Sequence, residues 1–186
     1  MAKLIFYYGT MGSSKTANAL MTKYNYDQKN KKTILLKPQV DTRDGKTIIK
    51  SRIGLKDRCT SVEDFLKKDI KQLDVIIIDE AQFLTSKQVD EFAHIVDFLN
   101  IPVICYGLKS DYSGKLFNGS KRLFELADEF HEITTICWCG EPARFNARIQ
   151  DDKVVKSSAN QIMIGGDSLY TPLCRKHFKL GIYKEK

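Results

Sequence analysis

Three groups of residues have types and spacing that could do chemistry. The first is the run Gly9, Thr10, Met11, Gly12, Ser13, Ser14, Lys15 and Thr16. It lies between an apolar, β-prone stretch and a helical one, the setting of a loop that binds phosphate. Backbone N–H groups at a helix N-terminus point at phosphate oxygens. Lys15 supplies charge for β- and γ-phosphates, and Thr16 offers a hydroxyl to Mg²⁺. Ser14 stands where glycine usually precedes the lysine, and a side chain is accommodated there if φ is negative. The second group is Asp79 and Glu80, which close the apolar run Val75–Ile78. An acid at such a strand end helps to hold Mg²⁺, and the next carboxylate can serve as a general base. Ala81 and Gln82 continue this run and are placed with the nucleotide-binding residues. These two groups imply a nucleoside triphosphate and Mg²⁺. The third group is Cys137 and Cys139 with Cys174 and His177, two short pairs suited to a tetrahedral structural Zn²⁺.

The elements that must position these groups follow from periodicity. Lys3–Tyr8, Thr33–Leu36, Val75–Ile78 and Val103–Tyr106 read as strands. Val75–Ile78, apolar and β-branched throughout, is the mark of a central strand covered on both faces. Residues 14–28 and 86–100 carry apolar residues at helical spacing, and residues 61–64 resemble a capping box that opens a short helix. A loop with a β-ribbon near Lys46–Lys50 is expected between residues 39 and 60. Strands alternating with helices predict an α/β fold with a mainly parallel sheet. The helical pattern stops near Thr135. We therefore expect a nucleotide-binding domain over residues 1–135 and a small zinc-binding lid over residues 136–186.

Composition narrows the function classes. The 186 residues are 42% hydrophobic and 28% charged, an ordinary globular balance. The net charge of +7 suits anionic partners. No apolar run approaches the roughly 20 residues that cross a bilayer. The apolar N-terminus turns into Gly9 before a signal sequence develops, so a cytoplasmic protein with no membrane partner is expected. Five cysteines, an odd number spread along the chain, argue against a disulfide framework. Cys59 and Cys105 look isolated, and His94 and His131 read as structural. Asp79, Glu80, Ala81 and Gln82 superficially match a helicase signature, yet the chain has room for one such domain and a helicase of that type needs two. An ATP-dependent nucleic-acid binder with a zinc ribbon is the alternative. It would need a basic, aromatic-lined groove, whereas residues 137–177 mix both signs of charge, including Glu141, Asp151, Asp152 and Asp167.

Taken in order along almost the whole chain, these motifs resemble the type II thymidine kinases, the cytosolic-type family. The match covers residues 9–16, Asp41-Thr-Arg43, Ser51-Arg52, Asp79–Phe83, Gly107-Leu108 and Asp111-Tyr112. It continues through Phe117–Ser120, Ile164–Gly166, Tyr170 and Cys174–His177. The resemblance implies a RecA-like P-loop sheet flanked by helices, a zinc-ribbon lid, and transfer of the ATP γ-phosphate to the 5′-hydroxyl of thymidine. Glu80 matches the catalytic base. Phe83, Leu108, Tyr112 and Phe117 match the walls of the nucleoside pocket, and Asp41, Arg43 and Arg52 match polar loops near the phosphates. A lasso over residues 161–170 would bind the base through its main chain, with Gln161, Met163, Ile164, Gly165 and Tyr170 in contact. The family pairs its first zinc cysteines as Cys-x-x-Cys, whereas this chain has Cys-x-Cys. The resemblance also implies a homotetramer, feedback inhibition by dTTP, and no nucleic-acid partner.

Overall fold

The computed structural model describes residues 1–43, 45–68, 70, 72–156 and 169–185. Gln161, Met163, Ile164 and Gly165 therefore lie outside the described residues. In chain order the elements are β1 (Leu4–Gly9), α1 (Lys15–Asp27), β2 (Thr33–Lys37), β3 (Ile48–Lys50), β4 (Lys56–Arg58), β5 (Thr60–Ser61) and α2 (Val62–Phe65). They continue with β6 (Val75–Ile78), a 3-10 turn (Ala81–Phe83), α3 (Ser86–Leu99), β7 (Val103–Leu108), α4 (Asn118–Leu126) and β8 (Glu129–Glu132). The chain closes with β9 (Phe145–Gln150), β10 (Lys153–Val155), β11 (Tyr170–Leu173) and α5 (Arg175–Leu180).

Strands β5-β2-β6-β7-β1-β8 form one parallel sheet in that order. Side chains alternate across a strand, which explains the unbroken apolar run in β6. Ile76 and Ile78 pack with Val89 and Phe92 of α3 and Leu123 of α4. Val75 and Ile77 pack on the opposite face with Ala19 and Leu20 of α1. The sheet is thus covered on both faces, as the β6 sequence predicts. No helix among the described residues is long and apolar enough to cross a membrane.

The helix boundaries have local chemical causes. Thr85 and Gln88 form a reciprocal capping box at the start of α3. Asn100 ends that helix in the left-handed region at φ 53. Ser61 accepts a hydrogen bond from the Asp64 N–H at 3.0 Å and starts α2, as its sequence suggested. Gly119 places α4 hard against the 3-10 turn. A Cβ there would stand 2.6 and 2.7 Å from the carbonyl oxygens of Leu84 and Ala81.

Two elements depart from the sequence-based expectation. β8 is an edge strand whose outward residues are exposed, so no apolar run announces it. α5 is a helix beyond Thr135, where the helical pattern was expected to stop. It is six residues long, too short for a 3.6-residue period to show. A second, antiparallel sheet of order β10-β9-β11 shares an apolar cluster with Cys137, Cys174 and Phe178.

Candidate functional site

The parallel strands bring the phosphate-loop candidates and the paired carboxylates to the same end of the sheet. The loop leaves β1 at Gly9 and enters α1 at Lys15. Ser14 has φ 58 and ψ 22, which overturns the negative φ that a side chain there was expected to need. The chain has to curl left-handed to enter the helix, at a cost of about 1–2 kcal/mol for a residue with a Cβ. Lys15 Nζ donates to the Thr10 carbonyl at 2.6 Å and to Ser13 Oγ at 3.1 Å. Burial pulls its pKa down to about 8, against the opposing pull of Glu80 and Asp79. The Thr10 hydroxyl is buried without a partner among the described residues. A cavity of about 300 Å³ is lined by residues 11–17, by Ser51, Arg52 and Ile53, and by Glu80 and Leu108.

Beside Glu80, Asp79 is buried at the end of β6, anchored by its N–H to the Leu36 carbonyl at 2.9 Å. Burial, helped by the charge of Glu80, raises its pKa, while a hydrogen bond from Thr16 opposes the rise. Thr16 and Asp79, the two Mg²⁺ candidates, are therefore neighbours. Glu80 holds a left-handed backbone at φ 53. Such strain persists where the surroundings enforce it, and it clusters at functional sites. Both carboxylate oxygens of Glu80 are engaged: Arg43 Nη2 donates to Oε1, and Gln82 Nε2 donates to Oε2. Ala81 and Gln82 are themselves buried, and Gln82 Oε1 accepts from the Leu108 N–H at 2.9 Å. Gln82 thus links Glu80 to the end of β7.

Arg43 also donates through Nε to Asp41 at 2.8 Å. Burial raises the Asp41 pKa, and Arg43 and Lys37 outweigh it, holding the carboxyl below its ordinary value. Lys37, only 1% exposed, donates to the carbonyls of Gly45 at 2.7 Å and Ile48 at 2.9 Å. Its ammonium lies 3.6 Å from Asp41. This buried lysine clamps the loop that presents Arg43 to Glu80. Sequence reading passed over it, and its one signal is a cation directly after the apolar strand residues Leu35 and Leu36.

The aromatic candidates fall into two groups. The Phe83 and Phe117 rings meet edge to face with centroids 5.8 Å apart, held by the Gly119 contact of α4 with the 3-10 turn. Tyr112, 4% exposed, lies under the Arg148 guanidinium, 5.6 Å from its ring centroid. Tyr170 is opposite Arg148 in the β11–β9 register. Arg148 and the neighbouring Asn146 were not singled out from sequence.

The cysteine–histidine group assembles as expected. The ligand atoms of Cys137, Cys139, Cys174 and His177 all lie within 4.8 Å of one another. His177 Nδ1 is 3.6 Å from Cys137 Sγ and 3.4 Å from Cys174 Sγ, and Cys139 Sγ is 4.0 Å from Cys174 Sγ. Zn–S bonds of about 2.3 Å in a tetrahedron give S···S edges of roughly 3.8 Å, so this donor set fits Zn²⁺. The short Cys-x-Cys knuckle closes because Gly140 takes φ +87 and its N–H returns to the Cys137 carbonyl at 2.9 Å. Burial pushes the Cys137 thiol up, and backbone N–H groups of Cys139 and Cys174 outweigh it, leaving the thiol below its ordinary value. Trp138 stacks on His177 at 4.3 Å and donates to the Ile182 carbonyl at 3.2 Å.

Comparison with known proteins agrees with this geometry. The profile of the family described as thymidine kinase matches residues 2–178. A thymidine kinase of Mannheimia succiniciproducens is 42% identical, with 96% of each chain covered. The thymidine kinase of Enterobacteria phage T4 is 41% identical over 96% of each chain. That of Lactococcus lactis is 43% identical over 96% of this chain and 97% of the relative. Matched by that profile over nearly its whole length and 41–43% identical to these relatives, this chain belongs to the thymidine kinase family.

Proposed function

We propose that the chain transfers the γ-phosphoryl group of ATP to the 5′-hydroxyl of thymidine, giving thymidine monophosphate and ADP in deoxynucleoside salvage. The observation that carries this reading is the position of Glu80. It borders the phosphate-loop cavity directly beside Asp79, in a chain of the thymidine kinase family.

Loop amides of residues 12–16 and Lys15 hold the β- and γ-phosphates. Lys15 leaves the Thr10 carbonyl to do so. Thr16 and Asp79 would hold Mg²⁺, which supplies charge stabilisation for the transferring phosphoryl group. The 5′-hydroxyl oxygen bonds to the γ-phosphorus as the bond to the β,γ-bridging oxygen breaks and ADP leaves with that electron pair. Glu80 takes the hydroxyl proton. Each carboxylate oxygen retains a second lone pair beside its bond to Arg43 or Gln82. Phe83, Leu108, Tyr112, Phe117 and Tyr170 surround the nucleoside.

The same proposal assigns Zn²⁺ to Cys137, Cys139, Cys174 and His177, where it would tie the knuckle to α5. It divides the chain at residues 135 and 136, in keeping with the separate apolar cluster formed by residues beyond that point. It includes a cytoplasmic homotetramer inhibited by dTTP, a reading supported by family membership alone. A nucleoside panel incubated with ATP and scored for monophosphate tests the proposal. Thymidine monophosphate as the main product is expected. An ATPase stimulated by nucleic acid, with no nucleoside phosphorylated, would overturn it.

A further inference from the structure

Strand β9 has two unlike faces. Phe145, Ala147 and Ile149 pack into the apolar cluster of the C-terminal unit with Leu173, Cys174 and Phe178. Asn146 and Arg148 alternate with them, as the two-residue period of a strand requires. Both are buried, 2% and 7% exposed, and both reach into the nucleotide-binding part of the chain. Arg148 lies over Tyr112. Asn146 goes further, because its amide joins two segments that serve different substrates.

Asn146 Oδ1 accepts the Met11 N–H at 2.7 Å. Its Nδ2 donates to the Ser110 carbonyl at 3.0 Å. Met11 lies in the phosphate loop. Ser110 lies between Leu108 and Tyr112, the stretch assigned to the nucleoside wall. A backbone N–H can only donate and a carbonyl can only accept, so these neighbours fix which end of the amide faces which segment. Aspartate could satisfy Met11 but would set a carboxylate oxygen against the Ser110 carbonyl. Leucine, of similar size, would leave the half-buried Met11 N–H and the buried Ser110 carbonyl without this partner, which is costly.

We infer that Asn146 is a positioning residue that couples the two substrates. A nucleotide that orders the phosphate loop fixes Met11, hence the Asn146 amide, hence Ser110 and the nucleoside wall, and the same chain of contacts runs in reverse. Coupling of this kind is reciprocal and is typically about 5- to 150-fold in affinity. Asn146 sits on a strand whose other face is the core of the C-terminal unit, so the amide is held from behind and has little freedom to follow one segment without the other. The inference rests on the proposed reaction, which makes the phosphate loop an ATP site and the stretch from Leu108 to Tyr112 a thymidine site.

Calorimetry on the full-length protein tests it. Thymidine binding is measured with and without a non-hydrolysable ATP analogue and Mg²⁺. The wild type should bind thymidine about 5-fold or more tightly with the analogue present. Asn146→Leu should bring that factor close to one. Asn146→Asp, which keeps the Met11 contact, should hold its KM for ATP closer to the wild-type value yet also lose the coupling. A merely structural role would weaken both ligands in parallel and leave the factor unchanged. Hydrogen exchange on the wild type needs no variant. Thymidine alone should slow exchange in the peptide over residues 9–14, and the analogue alone should slow it over residues 108–117. A wild type that phosphorylates thymidine but shows no coupling, or an Asn146→Leu protein that keeps it, overturns the inference and leaves the reaction standing. A wild type that makes no thymidine monophosphate overturns the reaction, and the inference with it.

Discussion

Arg43 and Glu80 face each other as an ion pair, with Glu80 bordering the phosphate-loop cavity, and the same guanidinium holds Asp41 through Nε at 2.8 Å. The carboxylate that takes the proton is thus aimed by a side chain 37 residues away in sequence, on a loop clamped by buried Lys37. A hydrogen bond between charged groups contributes about 1.5–3 kcal/mol.

Arg43→Met should therefore lower kcat by roughly 10- to 100-fold, with the KM for thymidine little changed. Arg43→Lys should recover only part of the loss, because an ammonium cannot span both carboxylates as a planar fork does. Steady-state kinetics on the two variants decide the matter. A lysine variant with wild-type kcat would reduce Arg43 to a point charge.

The left-handed Ser14 leads to a prediction of the opposite sign. Ser14→Gly removes a strain of about 1–2 kcal/mol and adds a backbone entropy cost of about 0.5–1 kcal/mol. The variant should melt at the same temperature as the wild type or a few degrees higher, with ATP still bound. Ser14→Val, β-branched in the same conformation, should lose both stability and ATP affinity. Differential scanning fluorimetry and the KM for ATP provide the readout. A clear fall in Tm for the glycine variant would mean that the serine side chain does more than tolerate its backbone.

Gly119 makes a purely steric prediction. An added methyl would meet the carbonyl oxygens of Ala81 and Gln82 in the 3-10 turn at 2.7 and 2.9 Å, and that of Leu84 just after it at 2.6 Å. Gly119→Ala should destabilise the protein by about 1–3 kcal/mol, the usual cost of overpacking. It should also weaken thymidine binding, because the Phe83–Phe117 pair is carried by these two elements. Chemical denaturation and thymidine binding measured on the same sample test both effects. An unchanged Tm would show that α4 can move away without penalty.

The metal prediction has its own reporter. Trp138 is the single tryptophan of the chain, and its ring stacks on His177. Removing zinc with a chelator should change the intrinsic tryptophan fluorescence in step with the loss of about one metal per chain. Thermal stability should fall at the same time, because the binding energy of a structural site is folding energy. Cys137→Ser should reproduce the change without chelator. Purified protein that holds no zinc yet keeps full stability would remove the site.

Much of this was legible in the chain because local chemistry announces it. Val75–Ile78 declares a strand buried on both faces, and residues 9–16 declare a loop between strand and helix. The Cys137–Cys139 and Cys174–His177 pairs declare a cluster. What stayed hidden depends on partners distant in sequence. Asn146 meets Met11 across 135 residues, and Lys37 looks like an ordinary strand-end cation until the loop folds over it. β8 is an edge strand with too little buried surface to leave an apolar pattern. The conformation of Ser14 does not show in the sequence, because the loop's curl, rather than the residue's own preference, sets its φ.

Glu80 is the centre of the account, and a rapid-quench single-turnover experiment tests it most directly. Wild type and Glu80→Gln are each saturated with ATP, Mg²⁺ and thymidine, and thymidine monophosphate is counted against time. Glutamine keeps the shape and the contact with Arg43 but cannot take the proton. The account predicts that the variant binds both substrates and forms product slower by on the order of 10²–10⁴-fold, the usual contribution of a general base. Product formation at the wild-type rate by Glu80→Gln would contradict it.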